Sequence, residues 1–164
     1  LDLPWRGSLT GVSWSPDGRF VAAATQDREL HVWDLVTGRD FRLGGYARKV
    51  RQIGWTEDGD FLFSTGADVV VAWPLAADPG TMPPVEIGFA HAATASAVAT
   101  RGRRDMVAAG FTNGSVVIGE CARGTAKIGR AADGDAIAAL AWEPTTDLAF
   151  YGTSRGRIGL IRPA

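Results

Sequence analysis

The sequence predicts an all-β chain made of four repeats of one antiparallel, four-stranded unit, and three observations point to it. Short apolar runs alternate with tight turns along the whole chain, and no stretch sustains helical periodicity. The first apolar run of each unit ends at Trp14, Trp55, Thr100 and Trp142, giving spacings of 41, 45 and 42 residues. Glycine, at 21 of 164 residues, is too frequent for long helices and suits recurrent turns.

The first unit is the clearest. Gly11-Val12-Ser13-Trp14 reads as a strand, and Ser15-Pro16-Asp17-Gly18 turns it, since proline presets φ and glycine accepts a positive φ. Phe20 to Thr25 forms a second strand, broken at Gln26-Asp27-Arg28. Glu29 to Asp34 forms a third, Val36-Thr37-Gly38 turns it, and Asp40-Phe41-Arg42-Leu43 closes the unit. In the second unit, Val50 to Trp55, Phe61 to Thr65 and Val69 to Trp73 take the same places. There a Pro-rich excursion from Pro74 to Pro84 replaces the short turn before Val85-Glu86-Ile87. The third unit reads Ala95 to Thr100, Met106 to Gly110, a turn at Thr112-Asn113-Gly114, and Ser115 to Gly119. The fourth reads Ile137 to Trp142, Leu148 to Gly152, a turn at Ser154-Arg155-Gly156, and Ile158 to Ile161.

The third runs end at Trp33, Trp73, Gly119 and Ile161, with spacings of 40, 46 and 42. Four strands repeated at that period are the signature of a β-propeller blade. The expected architecture is therefore a partial ring of about four blades spanning 1–164, with units at roughly 9–43, 49–89, 94–130 and 136–164. Leu1-Asp2-Leu3 aligns with Phe41-Arg42-Leu43 and reads as the outer strand of a preceding blade.

The stretch from Val21 to Gly38, VAAATQDRELHVWDLVTG, resembles the core of the WD40 (WD-repeat) family, with Trp33-Asp34 as the naming dipeptide. Val107 to Glu120 and Ala149 to Arg162 align to the same frame without gaps, and the second unit needs one deletion near Asp68. The resemblance implies a propeller that binds other proteins through its loops. It also implies a buried network per unit, in which a histidine before the first strand joins an aspartate, a Ser or Thr, and the tryptophan. Only His91 lies near the histidine position. Asp27 and Asp68 suit the aspartate position, while Asn113 and Arg155 replace it later, and Gly119 replaces the third unit's tryptophan. The network is thus expected to be incomplete in every unit, leaving more of the stability to packing. WD propellers usually close a ring of about seven blades, so the resemblance implies that this chain is the C-terminal part of a longer propeller. The rival expectations are that Leu1 to Leu3 completes the last blade, or that two copies self-associate to complete a ring.

Composition narrows the function. Apolar residues make up 46% and charged residues 21%, as in globular domains. A net charge of −1 argues against a strongly basic nucleic-acid binder. One cysteine, Cys121, excludes an internal disulfide and a Cys-rich zinc site, so a reducing, cytoplasmic setting is expected and Cys121 is expected at the surface or half-buried. The longest apolar run, Val69 to Trp73, has the length of a strand and is far short of the ~20 residues of a membrane span. No metalloprotease, P-loop or nucleophile-elbow motif occurs, so no catalytic residue, cofactor or metal is expected. Asp17-Gly18 and Asp58-Gly59 are turn residues; they lack the further oxygen ligands a calcium loop requires. His31 is expected to pack within its strand, and Trp14, Trp33, Trp55, Trp73 and Trp142 between blades.

The leading expectation is a non-enzymatic protein–protein interaction scaffold. Its contacts are expected in loops on one face: Trp5, Arg28, Tyr46, Arg48, Lys49, Asp68, His91, Arg155 and Arg157. Trp5 is either an anchor or packs on a neighbouring blade. The alternatives are a small-molecule or metal site in the central channel, and nucleic-acid association through Arg-rich loops. The channel positions Val12, Ile53, Val98 and Ala139 are apolar, which disfavours the first. The clusters Arg48-Lys49-Arg51 and Arg101-Arg103-Arg104 fall on opposite faces and lack interleaved aromatics, which disfavours the second.

Overall fold

The computed structural model describes residues 2–77, 79–101 and 106–163. The first sheet contains β1 (Leu9–Trp14), β2 (Phe20–Thr25), β3 (Leu30–Asp34) and β4 (Asp40–Leu43). The second contains β5 (Ile53–Trp55), β6 (Phe61–Ser64), β7 (Val70–Pro74) and β8 (Val85–Ile87). The third contains β9 (Ala95–Arg101), β10 (Met106–Phe111), β11 (Val116–Glu120) and β12 (Thr125–Arg130). The fourth contains β13 (Ile137–Trp142), β14 (Ala149–Thr153) and β15 (Ile158–Ile161). Every sheet is an antiparallel meander in chain order. The inner strands are neighbours around the arc, with β5 against β9 and β9 against β13.

Three apolar layers fill the gaps between consecutive sheets, which is where the alternating pattern of each strand spends its buried side chains. Phe20, Ala22, Ala24, Leu30 and Val32 of the first sheet meet Val50, Trp55, Leu62, Val69 and Val71 of the second. Phe63, Val70, Ala72 and Ile87 meet Val107, Ala109, Phe111 and Val117 of the third. Ala108, Val116 and Ile118 meet Ile137, Ala149 and Ile161 of the fourth. Removing a side chain such as Leu62, Phe63 or Phe111 from water is worth roughly 1.5–3 kcal/mol each. Polar pins cross the same layers. Trp55 Nε1 donates to Ser13 Oγ at 3.0 Å, Trp142 Nε1 to the Ala99 carbonyl at 3.0 Å, and the Val98 amide to Gln52 Oε1 at 2.8 Å.

Both ends of the arc expose apolar side chains. In the first sheet Ala22 pairs with Val32 and Ala24 with Leu30; in the fourth, Phe150 pairs with Leu160 and Gly152 with Ile158. Phe150, Ile158 and Leu160 therefore occupy the positions of Ala22, Leu30 and Val32, which the next sheet covers completely. Ile158 is nevertheless 83% exposed and Leu160 59%. At the other end, Trp14 was expected between blades but is 60% exposed, because its repeat equivalents Trp55 and Trp142 pack back onto a preceding sheet and Trp14 has none.

Other expectations are corrected. Asp2 and Leu3 form no strand and add none to the fourth sheet, and Leu1 lies outside the described residues. The second unit's first strand begins at Ile53 rather than Val50, and its third runs Val70–Pro74. A fourth strand of the third unit, β12, was not anticipated. Cys121 is buried in the layer between the second and third sheets, neither at the surface nor half-buried.

Candidate functional site

The segments that link one sheet to the next fold over the second turn of the unit they enter, and backbone hydrogen bonds hold them there. The Gln26 amide donates to Ser8, Arg48 to Gly66, Ala90 to Asp68, Thr112 to Thr94, and Ser154 to Ala136. Links and second turns thus share one face of the arc, and all nine residues expected to contact a partner sit in these segments. The only two non-glycine residues with a left-handed backbone among the described residues, Arg28 (φ 60°) and Ala92 (φ 55°), also lie on this face.

Seven of the nine are exposed: Arg28, Arg48, Lys49, Asp68, His91, Arg155 and Arg157. Lys49 donates to the Gln26 side chain, which ties the second unit's link to the first unit's turn. His91 lies near Phe89, with ring centroids 6.4 Å apart. Trp5 is half-buried and covers the outer face of its own sheet. Its ring lies 4.1 Å from that of His31, and the Arg42 guanidinium sits 5.0 Å above it. His31 is buried, with Nε2 2.8 Å from Asp40 Oδ2 but off the direction of an aligned hydrogen bond. Burial holds its pKa below the ordinary histidine value, against the pull of Asp40.

Tyr46 must be withdrawn from the contact residues, because it is buried. Trp73 Nε1 donates to the Tyr46 hydroxyl at 2.6 Å, that hydroxyl donates to Ser64 Oγ, and Ser64 donates to the Val71 carbonyl at 3.3 Å. Burial raises the phenol's pKa to about 12, so it is a neutral donor throughout the physiological range. Tyr46 stands where the resemblance called for histidine, and the second unit has its own version of the buried network.

The fourth unit reverses the polarity. Its link supplies carboxylates and its second turn supplies arginine. Asp135, fully buried, accepts from Arg157 Nε at 2.8 Å, the Arg155 amide at 3.2 Å and Ser154 Oγ at 3.2 Å. Asp133 accepts from Arg130 Nη2 and Arg157 Nη2, each at 2.6 Å. The hydrogen bond from Arg130 is the main reason that the Asp133 carboxyl sits far below its usual range. The His–Asp–Ser/Thr–Trp set is thus incomplete in both units, as expected, and other hydrogen bonds take its place: a Trp–Tyr–Ser chain in the second and an Asp–Arg cluster in the fourth. Spacing alone searched for one residue type and missed them.

A groove of about 540 Å³ opens on this face between the second and third sheets. Arg48, Lys49, Arg51 and Gly66 line one side, and Ala92, Thr94, Ala95, Ser96 and Thr112 the other. Arg51 had been noted only as part of a basic cluster, and the small and hydroxyl residues opposite it were not singled out. The opposite face is made of capped turns: Asp17 Oδ1 accepts from Ser15 Oγ at 2.5 Å and from the Arg19 amide at 3.1 Å, and Asp58 Oδ1 from the Asp60 amide at 3.0 Å. Arg101 pairs with Asp147 there, and Arg103 and Arg104 lie outside the described residues. Among the described residues no group of three or more His, Cys, Asp or Glu is placed to hold a metal ion, and no helix is long and apolar enough to cross a membrane.

Residues 4–34 match the family model described as "WD domain, G-beta repeat". The Arabidopsis thaliana protein named Cell division cycle 20.1, cofactor of APC complex, is 35% identical over 52 residues, 30% of this chain and 11% of that protein. The solved structure of U3-55K superposes with a TM-score of 0.78 at 18% identity, covering 98% of this chain and 50% of that one. The computationally designed Ika4 protein superposes with a TM-score of 0.77 at 17% identity, covering 98% and 94%. The fold thus spans half of U3-55K, and the matched stretch about a tenth of the curated relative.

Proposed function

Since the chain belongs to the WD40-repeat β-propeller family, we propose that it is a non-enzymatic protein–protein interaction scaffold that engages its partner through the face built by the links and second turns. The observation that carries this reading is the grouping of seven exposed polar or charged side chains on one face of a framework whose interior is packed sheet against sheet. A rigid scaffold under variable loops suits recognition better than chemistry, and the apolar inner-strand positions supply no groups for catalysis in the channel. A relative named as a cofactor of a complex supports the same reading. Action in the cytoplasm is part of the proposal, resting on the single thiol.

The test is cross-linking mass spectrometry on partners captured by the purified protein. Cross-links are expected on the link face. Arg28→Glu with Arg155→Glu is expected to abolish capture, whereas Arg39→Glu with Glu57→Arg on the opposite face leaves it intact. Cross-links confined to the opposite face, or capture indifferent to the first pair, would refute the assignment.

Self-association to complete a ring is a second reading, favoured by the exposed apolar side chains at both ends of the arc, Trp14 at one and Ile158 and Leu160 at the other. In this reading the end sheets meet as the internal sheets do.

A further inference from the structure

Resting on the scaffold reading, we propose that the groove between the second and third sheets is the docking site for an acidic, Asp/Glu-rich segment of a protein partner. Three cations, Arg48, Lys49 and Arg51, line it, and no carboxylate does. None of the three forms an ion pair among the described residues; Lys49 makes its contact with the neutral amide of Gln26. The fourth unit on the same face is the contrast, since Asp133 and Asp135 there bind Arg130 and Arg157 within the chain. Positive charge in the groove is therefore left uncompensated, while a few loops away it is consumed internally.

The cations are also held in place. The Arg48 amide donates to the Gly66 carbonyl at 3.0 Å. Gly66 has a φ of 112°, and a side chain on it would come within 3.0 Å of the Arg48 carbonyl and 3.2 Å of that of Lys49. Only glycine lets the turn press against the link this closely. The Thr65 hydroxyl accepts the Arg51 and Gln52 amides at 3.3 and 3.1 Å, which fixes the approach to β5. The facing wall is made of small and hydroxyl residues: Ala92 and Ala95 leave room, and Thr112 Oγ1 accepts the Thr94 amide at 3.0 Å and can donate its own hydrogen to an anion.

Guanidinium groups grip carboxylates through paired, charge-assisted hydrogen bonds. The groove volume lies in the range that takes a few ligand side chains. An extended acidic segment can place alternate carboxylates on the cations and its backbone along the hydroxyl wall. A single-stranded nucleic acid offers the same charge, but it draws its affinity from bases stacked on aromatic rings, and the groove lining contains none.

The experiment is fluorescence anisotropy with a labelled glutamate-rich peptide, its glutamine counterpart and a single-stranded oligonucleotide of equal charge, at low and physiological salt. The glutamate peptide is expected to bind more tightly than both and to weaken as salt rises. Arg48→Glu with Lys49→Glu is expected to weaken it about tenfold or more, while Arg39→Glu on the opposite face changes nothing. Thermal melts confirm that each variant folds; if the reversals do not, Arg48→Gln with Lys49→Gln gives the same comparison. Equal affinity for the glutamine peptide, indifference to the groove variants, or tighter binding of the oligonucleotide overturns the proposal. A groove that ignores acidic peptide while link-face capture persists rejects this inference and leaves the scaffold reading standing.

Discussion

Tyr46 shows how a phenol can supply hydrogen bonds at the position where the resemblance implied a histidine. A phenol reaches the indole of Trp73 and the hydroxyl of Ser64, so the donors and acceptors in the interior of the second unit are matched without histidine. Tyr46→Phe strands the Trp73 N–H and the Ser64 oxygen in a buried site. It is expected to cost about 1–3 kcal/mol in urea unfolding while leaving capture at the link face unchanged. Asp34 is a second case. Burial alone would raise its carboxyl, but Arg19 at 2.8 Å and the amides of Val36 and Thr37 at 3.0 and 3.2 Å outweigh that and hold it at about 2. Because the folded value lies below the unfolded one, the contribution is complete above about pH 4 and is lost as pH falls toward 2. Asp34→Asn is expected to remove about 1–2 kcal/mol at neutral pH and to flatten that acid limb in thermal melts. The Trp33-Asp34 pair was legible in the sequence; its ion-pair partner was not, since Arg19 lies fifteen residues away in the turn before β2.

At the scale of strands and turns, alternation and turn chemistry were enough to place fourteen of the fifteen strands among the described residues within a few residues. β12 escaped because Thr125–Arg130 is polar and exposed along almost its whole length, so no apolar alternation marks it; pairing with β11 makes it a strand. Gly119 stands where a tryptophan was expected, and the neighbouring sheet supplies the reason. A side-chain carbon on Gly119 would collide with Ile87 of β8, which fills that space from the second sheet. Gly119→Val is therefore expected to force β8 and β11 apart and to destabilise the fold by about 1–3 kcal/mol. An Ile87→Ala second change should recover part of the loss, and an additive double mutant would show that the two residues are not in contact.

For the whole molecule, the end faces dominate. Ile158 and Leu160 lie where Leu30 and Val32 are fully covered, and Trp14 lies where Trp55 reaches the preceding sheet. A 164-residue chain carrying such faces is expected to associate with itself in light scattering. Ile158→Lys with Leu160→Lys is expected to shift it toward monomer without loss of melting temperature, because neither side chain supports the folded arc. A wild-type chain that stays monomeric at high concentration would show that these faces are not used between copies.

All-β class, the four-fold repeat, the turn positions and the face that gathers the links could be read from the chain alone. Those features depend on local pattern: alternation, turn residues and spacing are properties of neighbouring positions. The tertiary structure decided which side chains remain available. Tyr46 went inward, Arg157 was claimed by Asp133 and Asp135, Trp5 covered His31, and Arg48, Lys49 and Arg51 were left facing a groove without a carboxylate. Such outcomes depend on which residues distant in sequence meet across a sheet gap, and spacing along the chain carries no record of those encounters.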